Sequence, residues 1–303
     1  MTAISPKKDK LIESKPKVWT LPQVILMLVI LLFSLTCLLP FVNVAAVSFS
    51  SKSAILRGDV SFWPVEFETT AYSAIFSDPS MIHSLVFTVE ITVGYTLFSM
   101  ILTILMAYPL TKKRLHGRKF FNFLALFTMY FSGGTIPIYL NIKELGLLDS
   151  PWALILPGMI SSWNIFLLRN FMSDIPDSIM ESAKLDGAND FLIYVKLYLP
   201  LSKAGLATIG LFTALGYWNS WSGAMLYINS ADKYPLQYLL YSMLSNIQGA
   251  KEMAAASGVV MPDLPGETYK MAMAMVTTGP ILLLYPFVQR YFVKGITVGA
   301  VKG

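Results

Sequence analysis

Six apolar runs of about 20 residues or more follow one another along this sequence. A helix of that length crosses the roughly 30 Å of hydrocarbon in a bilayer, and it satisfies its own backbone hydrogen bonds there. The chain is 55% hydrophobic and 14% charged, whereas soluble domains carry about 25% charged residues. The runs cover residues 21–47, 84–110, 120–140, 152–171, 204–228 and 271–292. The sequence therefore predicts an all-α integral membrane protein with about six transmembrane helices.

The basic residues between the runs predict the orientation of the chain. Lys and Arg collect on the cytoplasmic side of membrane proteins, and an N-terminus inside leaves only six of the 23 on the outer side. Those six are Lys52, Arg57, Lys143, Lys233, Lys251 and Lys270. We therefore expect a multi-pass cell-membrane protein with a cytoplasmic N-terminal segment 1–20, a transmembrane domain 21–292 and a cytoplasmic tail 293–303. The first run is too long for the apolar region of a cleaved signal peptide, so we expect it to remain as a span.

Few residues in the chain suit catalysis or metal binding. Cys37 is the single cysteine, and His83 and His116 stand far apart, so we expect no disulfide and no metal site. An intramembrane enzyme needs paired acids, a Ser/His pair or metal ligands within its spans, and the sparse ionisable residues argue against one. The basic residues form short blocks between apolar runs, which argues against nucleic-acid binding. The sequence contains no P-loop motif, so any ATP must be bound by another chain.

The inner segment 173–203 has the pattern of two short helices joined by a turn. Ser173 or Asp174 suits the cap of the first helix, with Pro176 in its first turn. An apolar stripe at helical spacing follows, formed by Ile179, Met180 and Ala183. A loop that only reconnects two spans needs no such helix, so we expect a functional element on the cytoplasmic face.

The second half of this segment continues the pattern. Gly187 is placed to end the first helix in the left-handed conformation, and Asn189 or Asp190 suits the cap of the second. Pro200 interrupts that second helix at the entry to the fifth span. We expect one side of it to carry Phe191, Tyr194, Val195 and Tyr198.

Seven residues of the segment form a spaced signature. The order is Glu-Ser-Ala, three residues, Gly, nine residues, then Leu-x-Leu-Pro, at Glu181, Ser182, Ala183, Gly187, Leu197, Leu199 and Pro200. This resembles the Glu-Ala-Ala loop of ATP-binding-cassette (ABC) importer permeases of the type I class, with conservative departures at Ser182 and Leu197. The resemblance implies a MetI-like fold whose inner loop docks on a cytoplasmic ATPase and couples ATP-driven closure to transport.

Other stretches extend the resemblance along the chain. The tail 295–303 and residues 107–110 are similar to the smaller maltose-transporter permease, and residues 133–137 and 145–150 to Gram-positive polysaccharide and oligosaccharide permeases. The resemblance implies a permease subunit that forms half of the membrane path for a carbohydrate. Its implied partners are a second homologous permease, two cytoplasmic ATPase subunits, an extracellular solute-binding lipoprotein and membrane lipid. It implies no cofactor in this chain, since ATP and Mg²⁺ belong to the ATPase, and a Gram-positive source.

The substrate path is predicted from aromatic rings and amides in spans four and five, which suit sugar binding. These residues are Trp163, Asn164, Tyr217, Trp218, Asn219 and Trp221, and simple packing between helices is the alternative for all of them. The resemblance further implies that the long outer segment 229–270, with Pro235, Pro262 and Pro265, meets the binding protein as an irregular loop. Two other functions remain open, an ABC permease for a non-sugar solute and a proton-coupled transporter, which would normally show paired repeats.

Overall fold

The computed structural model describes residues 20–257 and 266–300, so the expectations for residues 1–19, 258–265 and 301–303 lie outside it. The regular secondary structure of the described residues is helical, apart from one isolated bridge between Ser50 and Phe67. The first helices are α1 (Leu21–Ser48), α2 (Lys52–Arg57), α3 (Thr70–Ser77), α4 (Pro79–Thr111), α5 (Arg118–Tyr130), α6 (Thr135–Glu144), α7 (Pro151–Ile155) and α8 (Ser162–Ser173). They are followed by α9 (Asp177–Leu185), α10 (Asp190–Ile193), α11 (Leu199–Leu201), α12 (Lys203–Trp218), α13 (Ser222–Tyr227), α14 (Leu236–Ser257) and α15 (Glu267–Ala300).

Helix α4 is the centre of the packing, against α8 on one side and α12 on the other. Its buried face is unusually small and polar for an apolar span. That face carries Ser84, Thr88, Thr92, Ser99, Thr103 and Ala107, which recur at helical spacing. Small residues let helix backbones approach closely in a membrane, where no hydrophobic effect drives helices together. The small residues therefore mark the side of α4 that packs on protein, and that helix also buries Met81, Phe87, Ile91 and Leu110.

Helix α1 lies at the periphery and packs on α15. Its 28 residues exceed what roughly 30 Å of hydrocarbon requires, and the side chains of residues 21–42 are all exposed in this chain. An apolar helix that exposes most of its length needs lipid or another apolar chain around it. The exposed surface of α1 therefore fits the predicted membrane location.

The predicted spans are less regular than the apolar runs suggest. Within the described residues, α1 and α4 alone are long and apolar enough to cross a membrane as single helices, and two bent pairs raise that number to four. In predicted span three, α5 and α6 meet at 109°, because Gly133 and Gly134 interrupt the run between them. Predicted span four is broken between α7 and α8, where Pro157 and Gly158 lie. Apolar length alone did not reveal these breaks.

The connections between helices lie at two ends of the helical assembly. One end holds the α4–α5 connection and the segment 173–203, whose side chains contact each other. The other end holds the α6–α7 connection, the residues after α13 and the start of α15 near Ser50. The α4–α5 connection and the segment 173–203, which the sequence assigned to the same side, thus lie together. The prediction that residues 229–270 form an irregular loop is wrong for Leu236–Ser257, because these residues form α14.

Candidate functional site

The first helix of the inner segment, α9, begins at Asp177, two or three residues later than a cap at Asp174 or Ser173 predicts. Pro176 occupies the N-cap position and no side chain caps the helix, so the prediction of a Ser173 or Asp174 cap is wrong. The helix ends at Leu185, and Gly187, two residues further on, has a φ of +81°. The Gly187 amide donates to the Lys184 carbonyl and the Ala188 amide to the Ala183 carbonyl, at 3.0 and 2.9 Å. This pair of bonds is the Schellman motif, which requires the left-handed residue that glycine supplies.

The second helix of the segment contains a π-helical turn. Asn189 caps α10 by accepting from the Leu192 amide at 2.8 Å, and the π turn Tyr194–Tyr198 leads into α11. Pro200 has no amide hydrogen, which removes one α-helical bond just after the turn. The chain bends by 74° between the second helix and α12. Isolated π turns of this kind occur frequently at functional sites.

The inner segment is fixed to the rest of the chain by an apolar cluster, the inner cluster. It joins the inner ends of α4, α8 and α12 to the segment. Its buried members are Ala107, Leu110, Ile165, Leu168, Met172, Ile193, Tyr194, Tyr198 and Ile209. Phe191 and Val195 are instead 74% and 40% exposed, so the prediction that they share a side with the two tyrosines is wrong. From this helix, the cluster buries the side that carries Ile193, Tyr194 and Tyr198.

Lys112 extends this attachment with a charge. Its ammonium lies 4.5 Å from the Tyr108 ring centroid and 4.0 Å from that of Tyr198, and 3.3 Å from the Met180 sulfur. Burial lowers the pKa of Lys112. Cation–π contacts contribute about 0.5–1 kcal/mol at exposed sites and more when desolvated. Lys112 therefore binds the inner end of α4 to both helices of the segment.

An ion pair holds the turn between the two helices. The Arg114 guanidinium contacts the Asp190 carboxylate, and Lys184 lies 3.9 Å from the same group. The Tyr108 hydroxyl also donates to the Asp190 carbonyl at 3.3 Å. These contacts attach the turn to the inner end of α4 and to the α4–α5 connection.

The signature residues divide between two faces. Ala183, Leu197 and Leu199 pack on the inner cluster, whereas Glu181, Ser182, Gly187 and Pro200 are exposed. The sequence interpretation missed two further exposed side chains on this free face, Leu185 at 90% and Phe191 at 74%. Their apolar character beside charged neighbours was the available signal. We call Glu181, Ser182, Leu185 and Phe191 the free face of the segment.

A cavity of about 550 Å³ lies between α4, α7, α8, α12 and α13. Tyr95 and Tyr217 stack in its wall with ring centroids 4.0 Å apart. Their hydroxyls donate to the Gly158 and Leu154 carbonyls at 2.7 and 2.8 Å, so both rings are held in place. Asn164 also lines it and donates to the Thr213 hydroxyl at 3.1 Å.

The structure brings two of the six predicted path residues to this cavity, Asn164 and Tyr217. Trp163 is 65% exposed at the start of α8. Trp218 is buried and its indole donates to the Thr277 carbonyl of α15 at 3.2 Å. Asn219 bonds the Leu215 carbonyl and Gln237, and Trp221 stacks on Tyr241.

Further cavity residues were missed by the sequence interpretation. Tyr95 belongs to α4, outside the two spans that were considered. Hydroxyl groups also line the cavity, on Thr135, Ser161, Thr213, Ser220 and Ser222. Polar side chains inside apolar runs were the signal that could have found them.

At the opposite end, Asp149 joins two outer connections. Its carboxylate accepts from the Asn229 and Ser230 amides at 3.0 and 2.9 Å, from the Ser230 hydroxyl and from Lys233 at 3.0 Å. These bonds, the Ser230 hydroxyl first, hold the pKa of Asp149 well below its usual range. Asp149 has a φ of +58°, uncommon for a residue other than glycine.

We expect Asp149→Asn to lower the thermal unfolding midpoint of the purified protein at neutral pH. The native pKa is depressed, so its stabilisation is complete above the unfolded value of 3.8 and is lost as pH falls through the native value. The difference between the unfolding midpoints of wild type and Asp149→Asn should therefore shrink as the pH falls below 3.8. Asp232→Asn, at an exposed carboxylate of the same connection, is the control and should change little. Equal midpoints for wild type and Asp149→Asn at neutral pH would contradict this role.

A family model described as "Binding-protein-dependent transport system inner membrane component" matches residues 18–298 of the chain. The chain therefore belongs to this family of membrane transport subunits, and the resemblance seen in the signature is confirmed. It is a permease component of an ABC transporter and not an enzyme. Membership in this family implies that the chain functions together with an ATPase and a binding protein.

Particular relatives refine the comparison. The chain is 45% identical over 274 residues to the polygalacturonan/rhamnogalacturonan transport system permease protein YtcP of Bacillus subtilis, covering 90% of this chain and 96% of that one. It is 39% identical over 268 residues to the protein LplC of the same organism, covering 88% and 90%.

A solved structure confirms the predicted fold class. A chain from the crystal structure of a bacterial ABC transporter that imports the acidic polysaccharide alginate superposes with a TM-score of 0.81. The two chains are 33% identical, and the match covers 91% of this chain and all of the other.

Proposed function

We propose that this chain forms half of the membrane path of an ATP-driven carbohydrate importer and that its inner segment receives the force from the ATPase. The observation that carries this proposal is the division of the segment into two faces. One face is fixed to α4, α8 and α12 by the inner cluster, Lys112 and the Arg114–Asp190 pair. The free face presents Leu185 and Phe191 outward. An element attached on one side and open on the other suits coupling between two chains.

The carbohydrate substrate is supported by the relatives and by the cavity. The names of the relatives refer to polygalacturonan or rhamnogalacturonan and to alginate. Paired tyrosine rings, an amide and several hydroxyls line the cavity, and such groups hydrogen-bond and stack on sugars. Among the described lining residues none is charged. If the substrate is acidic, as alginate is, its carboxylates must be recognised elsewhere in the complex.

The assembly proposed around this chain follows from its surfaces and its family. A second, homologous permease completes the path, two ATPase subunits bind ATP and Mg²⁺, and an extracellular lipoprotein delivers the sugar. The exposed apolar side chains of α1 need lipid or the second permease around them. The basic residues support cytoplasmic termini, and the Bacillus relatives support a Gram-positive source.

The experiment that tests this proposal labels single cysteines with a membrane-impermeant thiol reagent. Cys37 is the only native thiol, so Cys37→Ser gives a clean background. Ser182→Cys on the free face should react in inside-out vesicles stripped of the ATPase and should be protected when the ATPase is added back. Ser77→Cys, exposed at the end of α3, should react from outside intact cells.

The result has two independent parts. Labelling of Ser182→Cys from outside intact cells would contradict the orientation. Labelling from the cytoplasmic side without protection by the ATPase would contradict docking at the free face.

A further inference from the structure

A cleft of about 460 Å³ opens at the inner end of the chain, separate from the cavity between the spans. It lies between the α4–α5 connection, the end of α8 and helix α9. Five of its lining side chains are basic, namely Lys112, Lys113, Arg114, Arg118 and Lys184. Its one acidic lining residue is Asp177, and Asp190 stands nearby. The described groups around the cleft therefore leave an excess of positive charge.

Some of these cations already have partners. Arg114 and Lys184 are within ion-pair distance of Asp190, and Lys112 lies over two tyrosine rings. Arg118 donates its Nε to the Leu110 carbonyl at 3.0 Å, which fixes the start of its guanidinium group. Lys113 is exposed. Lys113 is therefore an accessible positive charge at the cleft, and Arg118 is a positive charge held in place there.

The cleft lies at the end of α4 and the start of α5, where the predicted spans two and three leave the hydrocarbon. Lys112 follows the last residue of α4 directly, and Arg118 is the first residue of α5. Apolar side chains line the cleft as well, on Met172, Ile175 and Met180, and the Ser173 hydroxyl adds a hydrogen-bond donor. A cleft that combines cationic groups with apolar side chains matches the junction between a phosphate headgroup and its acyl chains.

We propose that this cleft binds the phosphate headgroup of an anionic phospholipid of the inner leaflet. The bound headgroup contacts the α4–α5 connection and α9 together, so it ties the coupling segment to the membrane surface. Anionic lipids are concentrated on the cytoplasmic leaflet, where basic clefts between spans collect them. The proposal requires only that the chain lies in a membrane and is independent of the transported substrate.

The test titrates the assembled transporter in a neutral detergent with dioleoylphosphatidylglycerol and records thermal stabilisation of this chain. Dioleoylphosphatidylcholine and inorganic phosphate are titrated in parallel. We expect saturable stabilisation by phosphatidylglycerol alone. The double variant Lys113→Gln/Arg118→Gln should weaken it roughly tenfold or more, because it removes two headgroup cations.

The control pair Lys119→Gln/Lys196→Gln removes two exposed basic residues that do not line the cleft. It should leave the lipid affinity within about twofold of wild type, since the lost charges are screened by solvent. Both variants must unfold with wild-type midpoints in phosphatidylcholine, and Lys113→Gln alone replaces the double variant if it does not. Equal weakening by the two pairs, equal stabilisation by inorganic phosphate, or no response to phosphatidylglycerol would each overturn the proposal.

Discussion

Gly187→Val should abolish most carbohydrate uptake while leaving normal amounts of the chain in the membrane. Gly187 has a φ of +81° and an added Cβ would meet no atom within 4 Å, so the change acts through backbone strain and not through a clash. The left-handed conformation costs a side chain about 1–2 kcal/mol, and a branched residue more. If the variant leaves the left-handed conformation, the Schellman bonds that set the turn between the two inner helices are lost. Uptake in vesicles and the amount of co-purified ATPase measure the effect.

Two matched variants separate this effect from general damage. Gly58→Val places the same strain at a φ of +78°, again with no atom within 4 Å, but in an outer connection. It should therefore leave ATPase co-purification at wild-type levels. Gly187→Asn should keep much of the activity, because asparagine tolerates the left-handed conformation. Wild-type uptake in Gly187→Val would show that this turn is not needed for coupling.

Leu185→Glu should remove the ATPase from the purified complex with little effect on the folding of this chain. Leu185 is 90% exposed, so the isolated chain loses no packing. Burying a leucine in an interface is worth about 1.5–3 kcal/mol, and a buried unpaired carboxylate adds a larger penalty. A tenfold change in affinity corresponds to about 1.4 kcal/mol, so we expect the affinity to fall by tenfold to a hundredfold or more. Titration of ATPase onto the reconstituted permease pair measures it.

The control for Leu185→Glu is Leu56→Glu, at a leucine that is 79% exposed on the outer helix α2. It introduces the same charge at a residue that is also largely exposed, and it should leave the ATPase affinity unchanged. Phe191→Glu, at the second apolar residue of the free face, should weaken docking as Leu185→Glu does. Wild-type affinity in both free-face variants would mean that the ATPase binds elsewhere.

The inner segment was largely predictable because its signals are local. Capping by Asn189 and the left-handed Gly187 depend on residues within a few positions of each other, and the sequence contains them in order. The predicted Ser173 or Asp174 cap was wrong, because Pro176 occupies the N-cap position. The predicted faces of Phe191 and Val195 were wrong because the contacts of the segment with the inner cluster, and not periodicity alone, decide them. The family signature could identify the element but not which of its side chains point away from the protein.

The cavity and the outer connections were less accessible to sequence reasoning. Apolar length predicts that a run crosses the membrane, but the 109° bend between α5 and α6 depends on glycines that the length criterion ignores. Tyr95 stacks on Tyr217 from a different span, and Asp149 bonds residues about eighty positions away. Such pairs require the tertiary arrangement, which no local pattern in the chain contains.

The most direct test of the account is ATP-dependent uptake in proteoliposomes that contain this chain, its partner permease and the ATPase. An acidic oligosaccharide of the polygalacturonan type and a neutral oligosaccharide are supplied in turn, each with its binding protein. The account predicts accumulation of a sugar that requires both ATP and the binding protein and that disappears when this chain is omitted. Accumulation driven by a proton gradient without ATP, or undiminished uptake in liposomes that lack this chain, would contradict it.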